Sequence, residues 1–126
     1  MKMISTKAHT IIGLIVGVVL FFAPYIFGFN DNDIAALIPR IVGIFIIINE
    51  LITTSPYSPL KLVSMRTHIV IDYAAGVFLG LSPWIFSFVD SPANHWVPHV
   101  VVGVIVIGYA LMTDTVESHA RTTVAR

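Results

Sequence analysis

His68, Asp72, Gly76 and Gly80 recur every four residues inside an apolar stretch, and a second stretch near the start of the chain carries His9, Gly13, Gly17 and Phe21 at the same spacing. Residues four apart share a helix face, with a drift of about 40° per step, so His68 and Asp72 are neighbours one turn apart. A charged carboxylate at the centre of a bilayer costs roughly 2.5–3.5 kcal/mol on insertion scales, and less near an interface. Asp72 therefore needs a partner or a proton. His68 offers one from the same helix and His9 another from the other stretch, while Gly13, lacking a side chain, leaves room for the carboxylate. Two chemistries follow. One is a structural His–Asp hydrogen bond that fixes helix register. The other is a protonatable pair, because desolvation favours the neutral acid and an adjacent imidazolium favours the carboxylate.

Further polar residues lie in apolar surroundings. Glu50 and Asn49 fall toward the end of a second apolar segment, and an offset of 59 places Tyr109 opposite Glu50 in a fourth segment that ends in Thr113-Asp114. Asp114 is a candidate to join His9, His68, Asp72, Glu50 and Asn49 in one polar cluster, or else it is solvated like Glu117. His95 and His99 are four apart, but Trp96 lies between them and no third ligand is evident, so they read as interfacial residues and not as a metal site. No catalytic set is complete, and no cofactor or metal is assigned. The absence of cysteine removes thiolate metal sites and dithiol chemistry.

The elements that must position these residues are membrane helices. Only 11% of the residues are charged and the mean hydropathy is +0.89, against roughly a quarter charged in an ordinary soluble domain. Ile11 to Phe29 carries no charge and is long enough, at about 1.5 Å per residue, to cross a hydrocarbon core of about 30 Å. Its length exceeds a signal-peptide core and no Ala-x-Ala-like site precedes Asn30, so it is expected to be retained. Three more spans are predicted, at about Ile38 to Thr53, Thr67 to Phe88 and Val97 to Thr113. The expectation is an all-α membrane protein, a single four-helix domain over residues 1–126.

The chain also repeats itself. An ungapped offset of 59 pairs His9 with His68, Gly17 with Gly76, Pro24 with Pro83, Phe27 with Phe86, Phe29 with Phe88 and Pro39 with Pro98. Such self-similarity implies two like units that bury their faces against each other, here 7–54 and 66–113. Gly13/Gly17 and Gly76/Gly80 each form a Gly-x-x-x-Gly spacing that lets membrane helices approach closely, which predicts a seam between helices 1 and 3 near Gly17 and Gly76. Pro39 and Pro98 are placed at the starts of the returning helices. Ser82-Pro83 reads either as an N-cap and first-turn proline opening a short interfacial helix or as a kink near the end of helix 3. Ala23 cannot cap, which favours kinks at Pro24 and Pro83, with Tyr25, Trp84 and Trp96 as aromatic anchors at the interface.

Lys2, Lys7, Lys61, Arg66, Arg121 and Arg126 fall on one side of this arrangement and only Arg40 toward the other, so the positive-inside rule places both termini in the cytoplasm. Each unit then crosses twice, and the two share one orientation, related by an axis along the membrane normal. That differs from the inverted repeats of many transporters. With no net charge and no basic run, nucleic acid is not an expected partner; the partners are the lipid bilayer and a second copy of the chain.

The paired motifs Ala23-Pro24-Tyr25 and Ser82-Pro83-Trp84-Ile85-Phe86, with His68-x-x-x-Asp72-Tyr73-x-x-Gly76 before the second and Trp96-x-Pro98-His99 after it, resemble the SPW-repeat family of small prokaryotic membrane proteins. The resemblance runs from about Lys7 to Asp114. It implies two copies of a two-helix unit in a prokaryotic inner or plasma membrane and brings no enzymatic activity. The first copy departs from the pattern at Ala23 and Tyr25 and has Gly13 opposite Asp72, so a site drawn from both copies is asymmetric.

Three function classes are compatible with these residues. A non-enzymatic structural or interaction module ranks first. An oligomeric proton- or ion-coupled element using Asp72, Glu50 and the histidines ranks second. A haem-binding electron carrier with His9 and His68 as axial ligands ranks last, because both lie close to the inner surface.

Overall fold

The computed structural model describes residues 3–113. Its four helices are α1 (Thr6–Ile26), α2 (Asp33–Ile52), α3 (Met65–Ile85) and α4 (Ala93–Met112). Each is long and apolar enough to cross a membrane. The radial distribution of side chains is inverted relative to a soluble protein. Ile15, Phe22, Ile41, Phe45, Val70 and Val104 are exposed, whereas His9, Glu50, His68 and Asp72 are fully buried. An apolar surface that encloses a polar interior fits lipid as the surrounding solvent.

The helices start where side chains cap them. Ser5, Asn32 and Ser64 accept hydrogen bonds from the backbone N–H groups of Ala8, Ala35 and Thr67, each satisfying a donor that the first turn leaves free. α4 starts after Pro92 with no side-chain cap. Pro39 and Pro98 therefore do not open their helices, as the sequence reading expected, but lie inside them. Pro39 has no N–H for the carbonyl of Ala35. His99 Nε2 donates to that carbonyl instead, at 2.9 Å, and this replacement from α4 lets α2 run through its proline.

The second proline of the repeated motif has a replacement donor close by in sequence. α1 and α3 continue through Pro24 and Pro83 to Ile26 and Ile85. Pro83 cannot serve the carbonyl of Leu79, and the Ser82 hydroxyl, wholly buried, donates to it at 2.6 Å. The Ser-Pro pair thus carries its own repair of the helix ladder. Both helices then close with the N–H of Phe29 on Pro24 O (2.9 Å) and of Phe88 on Pro83 O (2.8 Å), the long bond of a Schellman ending. That closure requires left-handed backbone at Gly28 (φ 73°) and Ser87 (φ 58°). It also turns Phe29 and Phe88 inward against His99. Replacing Ser82 with Ala should destabilise the protein by about 1–2 kcal/mol, the cost of leaving a buried carbonyl bare. Thermal unfolding in detergent measures it, and an unchanged midpoint would refute this role for the hydroxyl.

α1 packs against α2 and α3 against α4 far more closely than the two hairpins pack against each other. Glycines set these contacts, but not along the expected seam between helices 1 and 3. A Cβ at Gly17 would meet Gly43 O at 3.0 Å, and one at Gly76 would meet Gly103 O at 3.0 Å. The close backbone approaches are thus α1–α2 and α3–α4, within each hairpin. The sequence reading missed Gly43 and Gly103 because it sought the partner of each glycine face in the other copy.

The hairpins also interlock through backbone at the end that carries the described chain ends. The N–H of Ile4, ahead of α1, bonds to Met112 O at the end of α4 (2.8 Å), and the N–H of Val63, ahead of α3, bonds to Ile52 O at the end of α2 (2.9 Å). At the opposite, hairpin end, Asn94 Nδ2 donates to Phe27 O (2.9 Å) and Gly28 O (3.1 Å). A core of Leu20, Ile46, Leu79 and Val106 fills the space between the two ends.

Candidate functional site

One turn in from the starts of α1 and α3, and one turn before the ends of α2 and α4, four ionisable side chains converge. His9 comes from α1, Glu50 from α2, and His68 and Asp72 from α3. His9 Nε2 lies 2.9 Å from Asp72 Oδ2 and 3.0 Å from His68 Nε2, and His68 Nε2 lies 3.1 Å from the same carboxylate oxygen. Glu50 Oε1 is 3.3 Å from His68 Nε2 and 3.6 Å from His9 Nε2. Despite that proximity, neither Glu50 oxygen has a hydrogen bond. Asn49 closes the group by donating to Asp72 Oδ1 at 3.4 Å and to the carbonyl of His68 at 3.5 Å.

Two threonines orient the imidazoles. Thr53 Oγ1 donates to Asn49 O (2.5 Å) and stands 2.6 Å from His68 Nδ1. Thr113 Oγ1 donates to Tyr109 O (2.6 Å) and stands 2.6 Å from His9 Nδ1. Each hydroxyl has spent its single proton on a carbonyl, so towards the ring it can only accept. Nδ1 of each histidine therefore carries a hydrogen, and both Nε2 atoms face the carboxylates. The pairing is crossed: Thr53 of the first hairpin holds His68 of the second, and Thr113 of the second holds His9 of the first. Tyr109 packs edge-on to His9 at 4.9 Å between ring centroids.

Of the residues singled out in the sequence, the structure brings together His9, His68, Asp72, Glu50 and Asn49. Asp114 lies outside the described residues. Gly13 does make room for a carboxylate, but for that of Glu50 and not of Asp72: a Cβ there would overlap the Glu50 carboxylate itself. The proposed match of Tyr109 with Glu50 is off by one. α1 and α3 start 59 residues apart, whereas α2 and α4 start 60 apart, so the threonine contacts pair Asn49 with Tyr109, and the partner of Glu50 is Ala110. The same shift hid Thr53 and Thr113 from an ungapped comparison.

His95 and His99 do not converge on a common point. His95 Nε2 faces Asp31 Oδ1 at 3.7 Å, and His99 is committed to Ala35. Trp84 and Trp96 stack edge-on at 6.0 Å and Arg40 lies over Tyr25 at 5.2 Å, with Trp84 and Tyr25 exposed on the bundle surface. The haem reading fails sterically, because the two Nε2 atoms are 3.0 Å apart and share their space with two carboxylates, leaving no slot for a porphyrin between them.

Four apolar helices around a sealed polar centre define a small all-α integral membrane protein. The model of the SPW repeat domain matches residues 7–113, and the chain belongs to that family. No curated protein and no solved structure matches it.

Proposed function

We propose that this protein is a non-catalytic structural module of the membrane whose buried cluster locks two helical hairpins into one body. The crossed Thr–His bonds carry this reading: each hairpin supplies the group that fixes the other's histidine. The two hairpins pack against each other far less closely than the helices within each hairpin do, so the polar joint contributes much of the specificity of assembly. All four ionisable groups are closed off from solvent, which favours a fixed joint over a relay. Lys7, Lys61 and Arg66 lie at the cluster's end of the bundle and Arg40 toward the other, which supports the cytoplasm as the compartment on that side.

Thr53→Val and Thr113→Val test the joint in the full chain, held in detergent with a chelator. Each leaves a buried Nδ1–H without an acceptor and should cost about 1–3 kcal/mol. Variants as stable as the parent would overturn the reading. So would proton flux in liposomes that the parent supports and Asp72→Asn abolishes, since that result would make the cluster a conduction element.

A further inference from the structure

We infer that the centre of this cluster is a closed binding site for one divalent transition-metal ion of the zinc class, held by His9 Nε2, His68 Nε2, one oxygen of Asp72 and one oxygen of Glu50. The inference rests on the interlock described above and deepens it, because each hairpin contributes one imidazole and one carboxylate.

Geometry is the first argument. Zinc binds imidazole nitrogen and carboxylate oxygen at about 2.0–2.2 Å, so tetrahedral ligand atoms stand about 3.3 Å apart. Five of the six separations among the four atoms are 2.9, 3.0, 3.1, 3.3 and 3.6 Å. All four atoms fall within 4.8 Å of one another. The set thus surrounds one centre, with five of its six separations close to those between zinc ligands.

Orientation is the second. A metal-bound histidine characteristically donates its other ring N–H to an oxygen, which fixes the tautomer and aims the free lone pair. Thr53 and Thr113 do this for His68 and His9. Two Nε2 atoms aimed at each other from 3.0 Å are poorly placed when both carry hydrogens or both carry lone pairs. A cation between them and the carboxylates removes that conflict.

Glu50 supplies the third argument. It is fully buried, is aimed into the cluster through the space that Gly13 leaves, and makes no hydrogen bond with either oxygen. A buried carboxylate ordinarily finds hydrogen bonds or a metal. Charge agrees as well: two carboxylates and two neutral imidazoles around a dication sum to zero, as a low-dielectric interior demands. With four protein ligands and no open position, the site matches the structural class of zinc centre and not the catalytic one.

The test uses the full chain, purified in detergent without a polyhistidine tag and stripped with EDTA, then titrated with Co2+. The expected result is one Co2+ per chain, with the intense visible bands of a tetrahedral centre, displaced by Zn2+. Glu50→Gln and His68→Gln should each weaken binding by more than about 100-fold, beyond the range seen when only an outer-shell partner is lost, whereas Thr53→Val should weaken it by about 10–100-fold. Circular dichroism and monodispersity establish that each variant is folded; if one is not, the parent titration and Thr53→Val decide. A parent that takes up no stoichiometric Co2+, or uptake unchanged in Glu50→Gln and His68→Gln, would overturn the metal site. Loss of stability by the threonine variants in EDTA would persist in that case, so failure of the metal site is distinguishable from failure of the interlock.

Discussion

Gly103→Ala should destabilise the protein by about 3 kcal/mol or more, the upper end of overpacking costs, while Gly80→Ala leaves stability unchanged or slightly raised. A Cβ on Gly103 would lie 2.7 Å from Gly76 O, 2.7 Å from Gly80 N and 2.8 Å from Gly80 Cα. Those neighbours are backbone atoms of α3, which cannot yield as a side-chain tip can, so α3 and α4 would have to separate. A Cβ on Gly80 meets nothing within 4 Å, and alanine is the better helix former by about 1 kcal/mol. Unfolding of both variants in the same detergent gives the comparison. Similar losses at both positions would show that α3 and α4 do not cross at Gly103.

That contrast also marks the limit of spacing as a guide. Gly76-x-x-x-Gly80 is visible in the sequence, yet the contact it serves depends on a single glycine of α4, which has no Gly-x-x-x-Gly of its own. Spacing indicates that a helix offers a flat face without indicating which neighbour accepts it. The helices themselves were legible because charge is nearly absent from long stretches. Their starts at Asp33 and Ala93 are not legible in the same way, because a proline locally marks a boundary while the carbonyl freed by Pro39 is repaired from a distance by His99. Local rules place a proline at a helix start when nothing else can satisfy the orphaned acceptor. A tertiary donor removes the reason for the rule.

The site was legible in its parts and not in its logic. His9, His68, Asp72, Glu50 and Asn49 stand out as polar residues in apolar segments. What the sequence concealed is how the two hairpins divide the work. The first has Gly13 and Glu50, and the second has Asp72 and Ala110 at the matching places, once the extra residue before α4 is allowed for. Each hairpin thus carries one carboxylate and one small residue, on exchanged helices. Gly13 is small because Glu50 fills its space, so the departure of the first copy from the second is a steric complement and not a degeneration of the repeat. The same extra residue shifts Thr53 into register with Thr113, and with it the outer shell of the site.

Asp72→Leu should be the most damaging substitution in the cluster, costing about 3–5 kcal/mol in metal-free protein, as breaking a buried charged pair does. Asp72 Oδ2 faces His9 Nε2 and His68 Nε2, and Oδ1 accepts from Asn49. Leucine would leave two imidazoles and an amide without their shared acceptor. Asp72→Asn keeps the volume and one oxygen acceptor, so its loss should be nearer about 1.5–3 kcal/mol, the worth of hydrogen bonds to a charged group. Glu50→Gln, in the same chelating buffer, should cost less than either, because neither Glu50 oxygen holds a hydrogen bond to lose. Unfolding free energies of the three variants in EDTA give the order directly. If the leucine and asparagine variants proved equally stable, the carboxylate would not be the acceptor that organises the two histidines, and the polar joint would have to be sought in Thr53 and Thr113 alone.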